Sequence, residues 1–268
     1  MVRRLVDKYY IYGSHLGVSR SIRLLMRETN TFIMAKWYRS RQRRLLKYEE
    51  ETDADPLKIV WVDPDELRYE TATYIGTPLN KYGHVYSGSW DQCRYKIEDR
   101  TEFKSLKRHF QYGVPWEETA YYLHTKNTIK SGGDVRGFST ETEVECFFDH
   151  LDDLYTKIKE QGYKSQNELQ TESEEDQRWS SVPPEKKSLN EISLNIARDG
   201  TFLWHNHGQH RLIIAKLLDI DEIPVQICTR HVGWQRIRDR IRSVSQDEAN
   251  TMVSNQYRGH PDLIDLLN

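Results

Sequence analysis

One strand-turn-strand-loop-helix pattern constrains the fold of this chain more than any other feature. Asp199-Gly200 separates two short apolar segments, Ile192–Ile196 and Phe202–Trp204, and an Asp-Gly pair in that position predicts a β-hairpin. A loop containing Gly208 follows, and then a helical segment over 209–218. The first N–H groups of such a helix and its positive dipole end favour a phosphate group. The pattern therefore predicts an anion site.

The predicted phosphate-binding residues lie at that helix start: Gly208, Gln209, His210 and Arg211. Gly208 lets the backbone approach a ligand closely, and Arg211 can add a bidentate guanidinium contact. His210 is a candidate hydrogen-bond donor to the phosphate and an assisting catalytic residue; the alternative is a packed histidine. Arg230 and His231 end the last predicted strand and could face the same ligand, with ordinary strand-end charge as the alternative.

Composition predicts a cytoplasmic protein. No apolar run approaches the roughly 20 residues that a membrane span needs, and the N-terminus lacks a signal-peptide pattern. The three cysteines are isolated, which favours a reducing compartment over a disulfide framework or a zinc knuckle.

The charge is divided unevenly along the chain. Residues 1–48 carry 12 Lys/Arg against two acidic residues, which leaves 27 basic and 39 acidic residues for positions 49–268. Apolar residues recur at helical spacing over 21–47, so the sequence predicts a basic amphipathic helix. Such an arm could contact nucleic acid or an anionic membrane surface, and peripheral membrane association stays open. Alternatively, the arm folds onto the acidic remainder of its own chain.

The remaining patterns predict an α/β (or α+β) fold with a small mixed sheet. A strand over 58–64 is stopped by Pro64, helices cover 102–112, 115–130, 140–161 and 232–242, and a strand covers 223–228. The segments 49–56 and 166–188 are predicted to be a linker and a polar connector. The expected organisation is a basic helical arm (1–50), a core domain (57–242) with an insertion at about 70–165, and a C-terminal tail (243–268).

These patterns resemble the core of the ParB/sulfiredoxin superfamily over roughly residues 57–231. The resemblance is carried by the Asp-Gly hairpin, the Gly208-x-His210-Arg211 motif, the helix containing Ala215 and the strand Ile223-Pro224-Val225. The complete chain is also similar to a group of microbial proteins that share Trp90-Asp91 and Arg230-His231-x-x-Trp234-Gln235, from which no activity follows. Members of the superfamily bind nucleotide phosphates at this loop. They include ATP-dependent sulfinic acid reductases, CTP-using partition proteins and small-molecule serine kinases.

Two of these activities do not suit this chain. Gln209 stands where sulfiredoxin needs a cysteine, and the 26 residues after Arg242 are too few for the DNA-binding domain of a partition protein. The kinase resemblance implies a nucleoside di- or triphosphate with Mg²⁺, a small hydroxylated acceptor, and a carboxylate after the first strand. Glu66 or Asp65 is the matching base; the alternative is ordinary negative charge at a helix start.

Two further groups of residues are candidates for ligand contact. Trp90, Asp91, Trp116 and Glu117 could line an acceptor pocket, with ordinary packing as the alternative. His205, His207 and His210 lie within six residues, but no carboxylate follows closely, and no metal site is predicted.

The competing function is a non-catalytic nucleotide- or nucleic-acid-binding regulator whose basic arm contacts DNA, RNA or a membrane surface.

Overall fold

The computed structural model describes residues 47–71, 82–92, 94–133, 135–138, 140–169, 191–205 and 207–267. Within these ranges the strands are β1 (Lys47–Glu51), β2 (Ile59–Val62), β3 (Tyr69–Thr71), β4 (His84–Ser87), β5 (Arg94–Lys96), β6 (Ile192–Ile196), β7 (Phe202–Trp204) and β8 (Ile223–His231). The α-helices are α1 (Thr101–Tyr112), α2 (Ala120–Lys130), α3 (Glu141–Gln161), α4 (Gln166–Leu169), α5 (Gln209–Leu217), α6 (Val232–Arg242) and α7 (Gln246–Thr251). The predicted helix over 21–47 lies almost entirely outside the described residues.

The strands form one mixed sheet in which β8 is central. Strand β6 pairs with β8 in parallel on one side; on the other side the first half of β8 is antiparallel to β2 and its end is parallel to β4. The sheet continues from β6 through β7 and β3 to β5, and from β4 to β1. Every residue of β8 is buried. The mixture of parallel and antiparallel strands with packed helices confirms the predicted α+β class.

The predicted hairpin is present, with Leu194 opposite Trp204 and Ile196 opposite Phe202. Gly200 has a φ of 84°, and a Cβ there would lie 2.6 Å from the ring of Trp234, so the turn requires glycine. All residues of β6 are buried, because the sheet is covered on both faces.

The helices of the insertion pack against α5, the helix that begins at the predicted anion site. Helices α1 and α3 agree with their predicted ranges, and a capping box between Thr140 and Glu143 starts α3. The predicted helix over 115–130 is instead a 3₁₀ turn (Trp116–Glu118) followed by α2. The break is at Thr119, which is extended and whose side chain caps α2 by accepting from Tyr122 N–H.

The segments on either side of the predicted core domain also belong to the packed structure. The predicted linker over 49–56 begins with strand β1, which pairs with β4, and Asp53 is ion-paired to the buried Arg238. In the predicted tail, Met252 and Leu263 are core residues, and Asp262 is ion-paired to Arg230. Within the part of the chain that the structure describes, no helix has the length and apolar character needed to cross a bilayer.

Candidate functional site

The predicted anion site lies between the end of β7 and the start of α5. Gly208 is the N-cap of α5 and has a left-handed conformation, with φ 72° and ψ 25°. A Cβ placed on Gly208 would lie 2.5 Å from Cγ1 of Ile192 and 3.2 Å from its Cα, so a side chain would be both strained and in collision. Because glycine has no side chain, the N-cap residue itself supplies no acceptor for the first N–H groups of α5.

The guanidinium of Arg211 lies beside this glycine. Its Nη2 would be 3.3 Å from a Cβ on Gly208, and its Nη1 is 3.5 Å from Oε2 of Glu191. The side chains of Arg211 and Glu191 are only 14% and 2% exposed. Burial raises the pKa of Glu191, which Arg211 opposes, and burial also raises the pKa of the neighbouring Tyr163 to about 12. The cation predicted to bind phosphate is therefore ion-paired with an internal carboxylate.

The side chain of His210 contacts the helical insertion. Its Nε2 shares a hydrogen bond of 3.2 Å with the hydroxyl of Tyr121, and its ring lies 5.4 Å from that of Phe147. Burial holds the pKa of His210 well below its usual range, and the nearby Arg136 and Arg100 act in the same direction. The imidazole is therefore neutral at physiological pH, and Tyr121 fixes its orientation.

An arginine that was not predicted, Arg100, connects the start of α5 to two carboxylates. Its guanidinium donates to Glu70 at 2.5 Å, to Glu102 at 3.1 Å and to Oε1 of Gln209 at 3.4 Å. It also lies over the ring of Trp204, 5.2 Å from the centroid. Burial raises the pKa of Glu70, although Arg100 opposes the shift. Gln209 thus faces a partly buried network of one guanidinium and two carboxylates.

No sequence motif identified this network. Glu70 is the middle residue of the three-residue strand β3, and it reaches the site because β3 pairs in parallel with β7, where Glu70 is opposite Trp204. Arg100 immediately precedes α1. The only local signal was an acidic residue, Glu102, in the first turn of a predicted helix, and that pattern is common.

Several buried polar atoms around the start of α5 lack a partner in hydrogen-bond geometry among the described residues. They are Arg100 Nε, Tyr163 Oη, Glu191 Oε2, His205 Nδ1 and Gln209 Nε2. Arg100 immediately precedes α1, and Tyr163 follows α3. Glu191 precedes β6, and His205 and Gln209 lie on either side of Gly208. Buried polar groups are normally satisfied, so a concentration of unsatisfied ones is typical of a place where a ligand or ordered water binds.

The structure places the predicted base residues at the other end of α5. Oδ1 of Asp65 is 3.2 Å from Nζ of Lys216, which lies near the end of the helix, seven residues after Gln209. Since a helix rises 1.5 Å per residue, this contact is about 10 Å along α5 from its first turn. Glu66 is exposed and belongs to the same 3₁₀ turn after β2. Neither carboxylate is brought to the helix start.

Arg230 and His231 are also held elsewhere. Arg230 is opposite Ile196, at the far end of β6 from Ile192, and its buried guanidinium is ion-paired to Asp262. His231 caps α6 by accepting from Gly233 N–H at 2.9 Å, while its Nε2 donates to the carbonyl oxygen of Gly88 at 2.9 Å. Both side chains are therefore bound to other groups at the opposite end of strands β6 and β8 from Gly208.

The predicted acceptor-pocket residues fall into two separate places. Trp90 is buried, and Asp91 is fully buried, where it accepts from the backbone N–H of Arg198 at 3.0 Å and from its Nε at 2.7 Å. Trp116 stacks on His109 with ring centroids 3.9 Å apart and donates to Asp152 at 3.0 Å. Glu117 is exposed beside it. Trp90, Asp91 and Trp116 have packing roles, and the structure does not bring the two pairs to one pocket.

The histidines before Gly208 do not form a recognisable metal centre. Burial lowers the pKa of His205 to about 4 and also lowers that of His207. Across the described residues, no three His, Cys, Asp or Glu side chains are grouped so that they could hold a metal ion.

No protein-family model matches the chain, and no curated protein or solved structure matches it either. The resemblance to the ParB/sulfiredoxin superfamily therefore rests on the residues quoted for it and stays a prediction.

Proposed function

We propose that the start of α5 binds the phosphate groups of a nucleotide and that the protein is a phosphotransferase acting on a small hydroxylated acceptor. The observation that carries the proposal is a concentration of buried polar atoms, around the N-cap glycine of α5, that have no partner in hydrogen-bond geometry among the described residues. The helix start offers main-chain N–H groups and a positive dipole end to an anion. Arg211 lies close enough to Gly208 to add its charge.

The residues at this position fit a nucleotide better than they fit an independent metal. Among the described residues, no three His, Cys, Asp or Glu side chains are grouped to hold a metal ion, whereas the start of α5 directs main-chain N–H groups towards an anion. Mg²⁺ generally reaches such sites with the nucleotide and takes one or two carboxylates in addition to phosphate oxygens. Glu70 and Glu102 are the carboxylates near Gln209 that could contact it. The bound nucleotide would supply the phosphoryl group that is transferred.

Glu70 is a better candidate base than Glu66 or Asp65. It is joined through Arg100 to Gln209, whereas Asp65 is held at the far end of α5. A buried carboxylate with a raised pKa is suited to take the proton from an acceptor hydroxyl as the oxygen attacks phosphorus. In this proposal Arg100 positions Glu70, and the neutral His210 orients the acceptor through its hydrogen-bonded pair with Tyr121.

The proposal is tested by thermal shift with ADP, ATP, CTP and GTP in the presence of Mg²⁺, followed by a phosphate-transfer assay on small hydroxylated compounds. We expect at least one nucleotide to raise the melting temperature of the wild type and Arg211→Ala to remove that shift. Glu70→Gln should keep the nucleotide shift and lose transfer, whereas Glu66→Gln should keep both. If no nucleotide shifts the wild type, the proposal is wrong.

A non-catalytic regulator is the second candidate. It is favoured by the ion pairs of the carboxylates near α5, since Glu70 and Glu102 are both bound to Arg100 and Asp65 is bound to Lys216. Nucleotide binding with no transfer to any acceptor would support it. Its nucleic-acid or membrane partner would be sought by comparing the salt dependence of binding for the full chain and for a chain lacking residues 1–46, using RNA, DNA and anionic vesicles.

A further inference from the structure

We propose that Glu191 is an internal competitor for the anion at Arg211, so that a ligand binds the start of α5 by replacing a carboxylate of the protein itself. This inference rests on the proposed anion site and concerns its regulation. Glu191 immediately precedes Ile192, the residue that packs against Gly208. The contact that requires glycine at the helix N-cap therefore also brings the carboxylate to the arginine.

The geometry of the pair suits an exchange. One oxygen of Glu191, Oε1, accepts from the backbone N–H of Gln166 at 2.6 Å and is fixed by the main chain. The other, Oε2, is 3.5 Å from Arg211 Nη1 and has no partner in hydrogen-bond geometry among the described residues. Phosphate can offer a guanidinium two short charge-assisted hydrogen bonds, which are stronger than this loose contact. Glu191 is buried and Arg211 is mostly so, which limits the screening of this competition by water.

The charge on Glu191 should make anion binding depend on pH. Within the described residues, the groups that face its carboxylate are the Arg211 guanidinium, the Tyr163 hydroxyl, the Glu168 carboxylate and the Gln166 N–H, and His207 in turn faces Arg211. Burial raises the pKa of Glu191 and the charge of Glu168 adds to this, whereas the Gln166 N–H and Arg211 lower it. As the pH falls, Glu191 is therefore protonated earlier than an ordinary carboxylate, and Arg211 no longer faces this negative charge. Anion affinity should rise as the solution becomes more acidic.

The test is a calorimetric titration of ADP with Mg²⁺, and of inorganic phosphate, between pH 5.5 and 8 with the full chain. Glu191→Gln keeps an oxygen for the Gln166 N–H, and circular dichroism would verify its fold. Removing one opposing charge is expected to tighten binding at pH 8 roughly tenfold, the equivalent of one pKa unit of interaction. Part of the increase in affinity at low pH comes from protonation of the ligand, and this part should be the same in the wild type and in Glu191→Gln. The part that comes from protonation of Glu191 should be absent from the variant.

Two controls separate competition from a general effect on folding. Glu160→Gln makes the same chemical change at an exposed position near the end of α3 and should leave ADP affinity unchanged. In an Arg211→Ala background, which the proposed function expects to lose nucleotide binding, Glu191→Gln should not restore it, and restored binding would show that Glu191 acts independently of Arg211.

The outcomes distinguish this inference from the function on which it rests. If wild type binds ADP and Glu191→Gln binds with equal or lower affinity and the same pH profile, Glu191 is not a competitor and the anion site stands. If neither protein nor any control binds ADP or phosphate at any pH, both the anion site and the inference are overturned.

Discussion

Nζ of Lys216 lies 2.8 Å from the carbonyl oxygen of Pro64 and 3.2 Å from Oδ1 of Asp65, and it joins helix α5 to the turn that follows β2. The side chain of Lys216 is 5% exposed, whereas that of Asp65 is 74% exposed. A buried ammonium group needs acceptors, and the carbonyl oxygen is the one that is also removed from water. This contact holds the turn Pro64–Glu66 against the C-terminal half of α5, away from the predicted phosphate site at the start of that helix.

Lys216→Met should lower the free energy of unfolding by about 1–2 kcal/mol, because it keeps the apolar stem but leaves the Pro64 carbonyl oxygen without its donor. Asp65→Asn should change it by less than about 0.5 kcal/mol, since that carboxylate is in water. Urea denaturation measures both values. Equal losses in the two variants would show that the ion pair, and not the buried hydrogen bond, is what stabilises the contact.

Gly208→Ala should destabilise the protein by about 2–3 kcal/mol, because the new Cβ meets Ile192 in addition to the left-handed backbone strain. The matched control is Gly113→Ala at the end of α1, where φ is 66° but nothing lies within 4 Å of a Cβ. Backbone strain alone should cost about 1 kcal/mol there. Chemical denaturation measures the free energy of unfolding of both variants, and the difference between their losses is the cost of the collision with Ile192. Equal losses in the two variants would show that the collision has no cost.

Asp262→Ala should be among the most damaging substitutions in the C-terminal segment, with a loss of about 3–5 kcal/mol. Its carboxylate binds the guanidinium of Arg230 and accepts from the indole N–H of Trp234 at 2.9 Å, and the fully buried Arg238 lies 3.5 Å away. Removing the Asp262 carboxylate takes away the negative charge that the buried guanidinium groups of Arg230 and Arg238 face. Arg242→Ala, at an exposed ion pair 3.7 Å from Asp53, should cost under about 1 kcal/mol by denaturant unfolding.

Acid should destabilise the fold through His205. Burial lowers its pKa to about 4, whereas the unfolded chain has the ordinary value near 6.5, so the unfolded state binds more protons between these values. The contribution of His205 to stability is therefore complete above pH 6.5 and declines as the pH falls towards 4, by about 3 kcal/mol in total.

Urea denaturation at pH 7, 6, 5 and 4 measures this dependence. His205→Leu should flatten the profile over that range, and His124→Leu, an exposed control on α2, should leave it unchanged. An unaltered slope in His205→Leu would show that other groups account for the acid sensitivity.

Much of the secondary structure was predictable because its signals are local. The Asp199-Gly200 turn specifies the hairpin, Thr140 and Glu143 mark the start of α3, and Gly208 marks the start of α5. Prediction was wrong where a local signal was overridden by pairing with a distant segment. The polar residues 47–51 form a strand because β4 offers a free edge, and they do not act as a linker.

The sequence by itself determined that a glycine loop leads from a hairpin strand into a helix that carries Arg211 in its first turn. Only the tertiary structure decided which charges surround that turn. Glu70 reaches it through the pairing of β3 with β7, Glu191 through the packing of Ile192 on Gly208, and Arg230 is turned away to Asp262. Turns and helix ends depend on a few adjacent residues, whereas the partner of a buried charge depends on which distant segments the sheet brings together.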